Sequence, residues 1–296
     1  MTAIRRHSAF LLAVALVVLW GSNYSVLKAL LTQLGPSAVI AARYVVTPLC
    51  AVALLLWHYG LSWPRLERGE WLAFAGLALV GHVMHVTVMT NAMNLSTPFS
   101  SALISACGPI FTLLIVRFTG AQRLSRAQFA GVALAFAGIL VFVSDKLQRA
   151  STGTMGDILL LAGTLLFACH TVAARAITER HGVLLVMTYA TLIATCPILA
   201  LSVGGAIEVP WQALSRNQWL ALAWSLIVAS FGGWLIWGWL NHELGVARTA
   251  PLLYLLPPVA GFIAWATLGE TFSAWKIVGA LMALGGVALV QFGQRR

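Results

Sequence analysis

Long apolar runs follow one another along the chain, each close to the length of a bilayer crossing and each closed by a short polar connection. A transmembrane helix needs about 20 mostly apolar residues. Ten runs of that kind can be read, at about 8–31, 36–58, 71–93, 97–118, 126–144, 156–176, 183–203, 217–240, 246–267 and 274–292. They predict an all-α integral membrane protein with ten transmembrane helices. The runs take roughly 210 residues, so no stretch is left for a soluble domain. Function must therefore reside inside the bundle or at its mouths.

Composition sharpens this reading. Of 296 residues 60% are hydrophobic and 9% charged, against about 25% charged in an ordinary globular chain. These values exclude a water-soluble enzyme and a disordered chain. Although the formal net charge is +10, the basic residues are scattered between apolar runs and form no dense patch, which argues against nucleic acid as a partner. The lipid bilayer is the expected surrounding. The cysteines Cys50, Cys107, Cys169 and Cys196 all fall inside predicted spans without metal-ligand spacing, and read as small buried hydrophobes. The apolar run after Met1-Thr2-Ala3-Ile4-Arg5-Arg6-His7 has no clear cleavage site and reads as a first permanent span.

Charge also gives a topology. With alternating spans, one side collects Arg5, Arg6, Arg65, Arg68, Arg117, Arg123, Arg126, Arg175, Arg180, Arg295 and Arg296, while the other holds Lys146, Arg149, Arg216 and Lys276. Positive residues favour the cytoplasmic side, so both termini are expected there.

The two halves of the chain resemble each other. At an offset of 147, Asn23 falls on His170 and Lys28 on Arg175. At 149, Leu95, Pro109 and Gly120 fall on Leu244, Pro258 and Gly269, and at 148 Ser125, Gly131 and Gly138 fall on Ser273, Gly279 and Gly286. The preserved order predicts a five-span repeat over 1–148 and a second over 149–296. Five is odd, so the second repeat must cross the membrane inverted relative to the first. Inverted repeats are a plan of secondary transporters, with the substrate site near the midplane. Pro48, Pro98, Pro109, Pro197, Pro251, Pro257 and Pro258 lie in or at spans and predict kinks. Most glycines read as sites of close helix contact.

Two groups of residues carry a family resemblance. One is Trp20-Gly21-Ser22-Asn23 followed by Ala42-Arg43-Tyr44. The other runs from Ala92 through Pro109 and Gly120 to Gly131 and Gly138, and again from Leu244 through Pro258, Gly269 and Glu270 to Gly279 and Gly286. The chain resembles the EamA-type members of the drug/metabolite transporter superfamily over nearly its whole length. The resemblance implies ten spans in two inverted five-helix repeats and export of small metabolites, often amino acids, across a prokaryotic cytoplasmic membrane. An aromatic amino-acid exporter is the preferred subfamily. One departure stands out: Glu270 supplies the family's acidic residue in the second repeat, whereas Ala121-Gln122 stands at that place in the first.

Candidate binding residues follow from polarity at depth. Glu67, Glu70, Asp145, Asp157, Glu179, Glu208, Glu243 and Glu270 all fall in loops or at span ends, which argues against a cation pump built on a central carboxylate. His82 and His85 are three apart and would share a helix face continued by Met89, and His170 sits midway along the sixth span. Each imidazole is either a substrate contact or a neutral tie between helices. Arg43 breaks the symmetry and either attracts an anionic group or snorkels to an interface. Ser101, Ser105 and Gly108, matched by Ala250, Tyr254 and Pro257, form a small-and-polar stripe. Trp57, Trp63, Trp71, Trp211, Trp219 and Trp275 fit interfacial belts, while Trp20 and Trp234 are deeper and offer flat walls to a ligand.

The expected cavity therefore comprises Trp20, Asn23, His82, His85, Ser105, His170, Trp234 and Tyr254, with Arg43 in an electrostatic role. No catalytic constellation, metal set, phosphate loop or cofactor motif is present in the sequence. The reading is a secondary exporter of a small molecule by alternating access. A broad-range exporter of toxic compounds is the alternative within transport. An intramembrane enzyme or a structural protein is the alternative outside it.

Overall fold

A computed structural model describes residues 3–63, 66–118, 125–148, 153–244 and 250–292. Arg65, Gly120, Ala121, Gln122, Arg123, Arg149, Arg295 and Arg296 lie outside the described residues, as do the side chains of Arg5, Arg6, Asp145 and Lys146. Among the described residues the secondary structure is all helix, with short irregular connections and no strand.

Helix α1 spans Ala3–Tyr59 and is broken at Gly35, whose φ of 76° and ψ of 163° no other residue adopts readily. Pro36 then opens the second half at a position where a missing N–H costs nothing. Helix α2 runs over Glu70–Leu95, with a π-helical stretch at Leu79–Met84. Helices α3 (Pro98–Ser105) and α4 (Gly108–Phe118) follow. They are separate because Pro109 has no N–H to give the Ser105 carbonyl. The stripe expected along Ser101, Ser105 and Gly108 is therefore interrupted rather than continuous.

Helices α5 (Arg126–Gln148), α6 (Gly153–His181) and α7 (Val183–Ile207) come next. Gly182, between α6 and α7, has φ 77° and ψ 159°, the conformation of Gly35. Helix α8 covers 216–244 as Arg216–Ala223, a π-helical stretch Trp224–Gly232, and Gly233–Leu244. A 3-10 turn at Ala250–Leu255 leads into α9 (Leu256–Leu268), and α10 spans Ala274–Phe292.

Among the described residues, seven helices are long and apolar enough to cross a membrane, and Leu253–Leu268 and Ala274–Val290 are shorter apolar helices. The first of the seven, Ala9–Tyr59, holds 51 residues, about twice the length of one crossing. Phe10, Leu49, Phe129, Leu140, Leu201, Phe262 and Leu281 are all exposed on the outer faces, a surface that suits lipid and not water.

Local chemistry fixes several helix starts. Ser125 and Gln128 exchange side-chain bonds with each other's backbone N–H at the start of α5. Ser215 and Gln218 form the same box before α8. The Ser273 hydroxyl accepts from the Lys276 N–H before α10. Glu270 follows the left-handed Gly269, and its Oε2 accepts from Phe99 N–H at 3.3 Å. A carboxylate thus sits at the positive end of α3, where helix termini favour negative charge.

Glycines set the closest helix contacts. Gly131 and Gly138 of α5 lie directly on Gly286 and Gly279 of α10. Around them Leu103, Cys107, Ile110, Ala135, Phe142 and Val287 form a buried cluster. A larger cluster joins Leu30, Leu31, Leu34, Leu160, Ala206 and Leu226 at one end of the bundle.

Candidate functional site

A cavity of about 610 Å³ reaches into the bundle among α1, α2, α6, α7 and α8. Its volume suits a small-molecule site. Along α6 the lining runs from His170 to Glu179, about 14 Å of helix at 1.5 Å per residue. At the outer end Arg175 and Glu179 form an exposed ion pair of 3.0 Å. Val183 and Gly238 complete that mouth. Beside it His181 Nε2 meets Glu70 Oε1 at 2.6 Å, joining the end of α6 to the start of α2.

The opposite end is sealed. Lys28 Nζ donates to the carbonyls of Asn94 at 2.6 Å and Met93 at 3.4 Å. Gln218 Nε2 donates to Gln33 Oε1 at 2.7 Å, and Trp211 Nε1 donates to the Ala206 carbonyl at 2.8 Å. The Ser96 hydroxyl donates to Asp157, and Gly156 fits directly against the backbone of Leu95 and Ser96. Asp157 is indeed near a span end, but it is fully buried. A sequence reading treats such a residue as solvated; here it ties two helices.

At the inner end of the cavity a row of rings links its walls. Tyr44 Oη and His82 Nδ1 share a hydrogen bond of 2.9 Å. The His82 ring meets the His170 ring edge-on at 5.9 Å between centroids, and His170 meets Trp234 at 6.3 Å. The π-helical stretch in α2 makes room for this. Gly81 lies within it, and a Cβ there would fall 2.0 Å from His170 Nδ1. Wide π turns often mark functional sites.

Four of the expected residues, Arg43, His82, His170 and Trp234, line this cavity together. The other five do not. His85 Nδ1 donates to the Gly163 carbonyl at 2.9 Å and its ring packs on Phe167. It parts from His82 because the π stretch turns fewer degrees per residue than the α-helix assumed for a shared face. Trp20 stands behind the wall, donating from Nε1 to the Ala229 carbonyl at 3.0 Å and packing against Trp237 with ring centroids 5.7 Å apart and the planes tilted by 44°. The Asn23 Oδ1 and Ser105 Oγ atoms are buried outside the cavity. Tyr254 packs beside the α5/α10 cluster.

Sequence reasoning missed Tyr44, Thr47, Thr191 and Trp237, all of which line the cavity. Thr47 was within reach, because it lies four positions beyond Arg43 and so shares its side of the helix; Tyr44, one position on, is not given by that spacing.

A helical membrane bundle with one chamber that enters from one end and stops at a packed seal is the plan of a small-molecule transporter. The chain belongs to the EamA-like transporter family, which it matches over residues 7–144 and again over 154–292. It is thus a multi-pass membrane transporter. It is 28% identical over 301 residues to a probable amino-acid metabolite efflux pump of Salmonella typhimurium, covering 96% of this chain and 95% of that one. It is also 28% identical over 288 residues to a probable terminal-alkyne amino-acid exporter of Streptantibioticus cattleyicolor, covering 95% and 93%. A solved crystal structure at 20% identity superposes with a TM-score of 0.66 over 98% of this chain and 99% of its own, a likeness of fold.

Proposed function

We propose that the protein exports small metabolites of the amino-acid class, aromatic ones favoured, by alternating access through the central cavity. The observation that carries this reading is the cavity itself, open at one end, sealed at the other, and floored by Tyr44, His82, His170 and Trp234. The naming of two relatives as amino-acid exporters supports the cargo class.

Ten spans in two inverted repeats, 1–148 and 149–296, underlie the motion. Three pairings support that arrangement. Gly35 and Gly182 share a backbone conformation at the offset of Asn23 and His170. The π-helical stretches Leu79–Met84 and Trp224–Gly232 fall at matching places. Gly131 and Gly138 pack reciprocally on Gly286 and Gly279. The mouth carries Arg175, and Arg180 and Arg68 neighbour the His181–Glu70 contact beside it, so by the positive-inside rule it faces the cytoplasm and both termini lie on that side.

A second reading, a broad-range exporter of apolar toxic compounds, is favoured by the outer lining of Val183, Val186 and Met187.

Counterflow in proteoliposomes tests the reading. Saturable flux of labelled phenylalanine or tryptophan is expected, and its loss in His170→Ala protein that still elutes as a folded monodisperse species. Absence of amino-acid flux in folded wild-type protein overturns the cargo assignment.

A further inference from the structure

The inner end of the cavity holds a positive charge for which the described residues supply no hydrogen-bonded partner. Arg43 lines the chamber beside His82. Among the described residues no carboxylate, carbonyl or hydroxyl hydrogen-bonds its guanidinium. Arginine carries its charge in proteins, and a charge in a low-dielectric interior without a partner is unfavourable. Such a residue is tolerated inside a membrane where it faces water or a ligand. The side chain contributes to the chamber wall, so the chamber gives this charge a place without snorkelling to a lipid interface.

A second donor stands beside it. Thr47 is one helical turn from Arg43 on the same face of α1, is 7% exposed, and lines the same cavity. Its Oγ1 is buried without a hydrogen-bond partner. Two other lining threonines differ: Thr171 and Thr191 spend their hydroxyl protons on the Phe167 and Met187 carbonyls of their own helices, at 2.8 and 2.7 Å, while Thr178 lies toward the mouth, one turn from Arg175. A guanidinium and a neighbouring free hydroxyl are the donors that a carboxylate needs.

The α8 wall is aromatic. Trp234 and Trp237 line the cavity. Trp237 is backed by Trp20, itself held by its bond to the Ala229 carbonyl, so this wall is rigid.

An ammonium group finds no matching charge. The single carboxylate among the described lining residues is Glu179, at the exposed mouth and already paired with Arg175.

We infer that the cavity reads a carboxylate at Arg43 and Thr47 and an aryl or alkyl group at Trp234 and Trp237, and leaves the cargo's amine unread. Monocarboxylates whose amine is acylated or absent are then cargo alongside the parent amino acids. This rests on the transporter reading above and narrows its substrate class.

Binding to detergent-purified protein, followed by tryptophan fluorescence, tests it without requiring flux. The probes are phenylalanine, N-acetylphenylalanine, 3-phenylpropanoate, phenylalaninamide and phenethylamine. The three carboxylates are expected to bind within about threefold of one another, and the amide and the amine at least about tenfold more weakly, a factor equivalent to 1.4 kcal/mol. In Arg43→Gln that tenfold gap closes. Arg43→Lys, which keeps the charge without the fork, retains part of it, and Thr47→Val narrows it. The inference is overturned if the amide binds as well as the acid, if 3-phenylpropanoate fails to bind, or if Arg43→Gln leaves the ranking intact in folded protein. Carboxylate-dependent binding without amino-acid counterflow would uphold the inference while removing the exporter reading. Counterflow that ignores the carboxylate would do the reverse.

Discussion

A side chain on Gly138 would stand 2.7 Å from the Gly279 carbonyl oxygen, and one on Gly279 would stand 2.8 Å from the carbonyl oxygen of Gly138. Gly131 and Gly286 repeat the relationship at 2.7 and 2.6 Å. Each partner presses on the other's backbone, so neither can yield by rotating a side chain. Contacts of this reciprocal kind are what a two-fold axis between equivalent helices produces. They also let two backbones approach closely where lipid supplies no hydrophobic drive. Gly138→Ala and Gly279→Ala are each expected to lower stability by about 1–3 kcal/mol, the usual cost of overpacking. Gly76→Ala is the control, because a Cβ there meets nothing within 4 Å. Thermal unfolding in detergent reads the difference, and equal melting points for Gly138→Ala and Gly76→Ala would refute it.

Gly35 and Gly182 owe their identity to backbone geometry instead. A Cβ at either would meet nothing within 4 Å, yet both sit near φ +76°. Alanine there is strained by about 1–3 kcal/mol. Gly35→Ala and Gly182→Ala should therefore each lower the melting point despite the open space around them. Unchanged melting of both would show that the chain turns by another route.

These glycines illustrate what a sequence can and cannot convey. The apolar runs and a disturbance at Pro109 were legible, because hydrophobic length and proline chemistry are local properties; that Gly131 packs on Gly286 and Gly138 on Gly279 was not, since matching positions in two halves do not say which residues touch. The special conformation of Gly35 was not, since a glycine between two apolar runs looks the same whether it packs or turns. The site was half legible. His82 and His170 stand out as polar residues at depth, and both reach the cavity. Trp20 and His85 look equally suited, but one lies behind Trp237 and the other is bonded to Gly163. Only tertiary packing decides which side of a wall a ring occupies.

The Tyr44–His82 hydrogen bond gives a sharper test of the cavity floor. Tyr44 is almost fully buried and its hydroxyl meets His82 Nδ1 at 2.9 Å. Tyr44→Phe leaves that nitrogen without its partner, which costs about 1–3 kcal/mol when no water replaces the hydroxyl. Stability should fall by that amount, with weaker cargo binding as the imidazole turns. A variant that keeps wild-type affinity and melting point would place water at the bond and remove Tyr44 from the floor.

At the mouth the expectation is opposite. Arg175 and Glu179 are 76% and 65% exposed in their side chains. Exposed pairs of this spacing contribute at most a few tenths of a kcal/mol. Arg175→Ala and Glu179→Ala should leave stability within experimental error, alone and together. A coupling energy above about 1 kcal/mol in a double-mutant cycle would mean that the pair is a gate and not a solvated rim.

Under the alternating access proposed above, the sealed end is where the chamber opens to the other side. Lys28 reaches across from α1 to the Met93 and Asn94 carbonyls, which belong to the last turn of α2 and have no helical N–H of their own. The ammonium also complements the negative end of that helix. For the chamber to open on this side, α1 must part from α2, and these bonds must break. Charged hydrogen bonds contribute about 1.5–3 kcal/mol each. Lys28→Met should therefore shift the population toward the oppositely open state by roughly tenfold or more. A cysteine placed at Thr47 reports the shift, because that side chain lines the cavity. In oriented proteoliposomes, an impermeant thiol reagent applied from the sealed side should label Thr47→Cys faster when Lys28→Met is also present. The native cysteines are replaced beforehand so that only the reporter reacts. Unchanged labelling from that side, with labelling from the mouth preserved, would mean that Lys28 anchors a static wall and that the moving contact lies elsewhere.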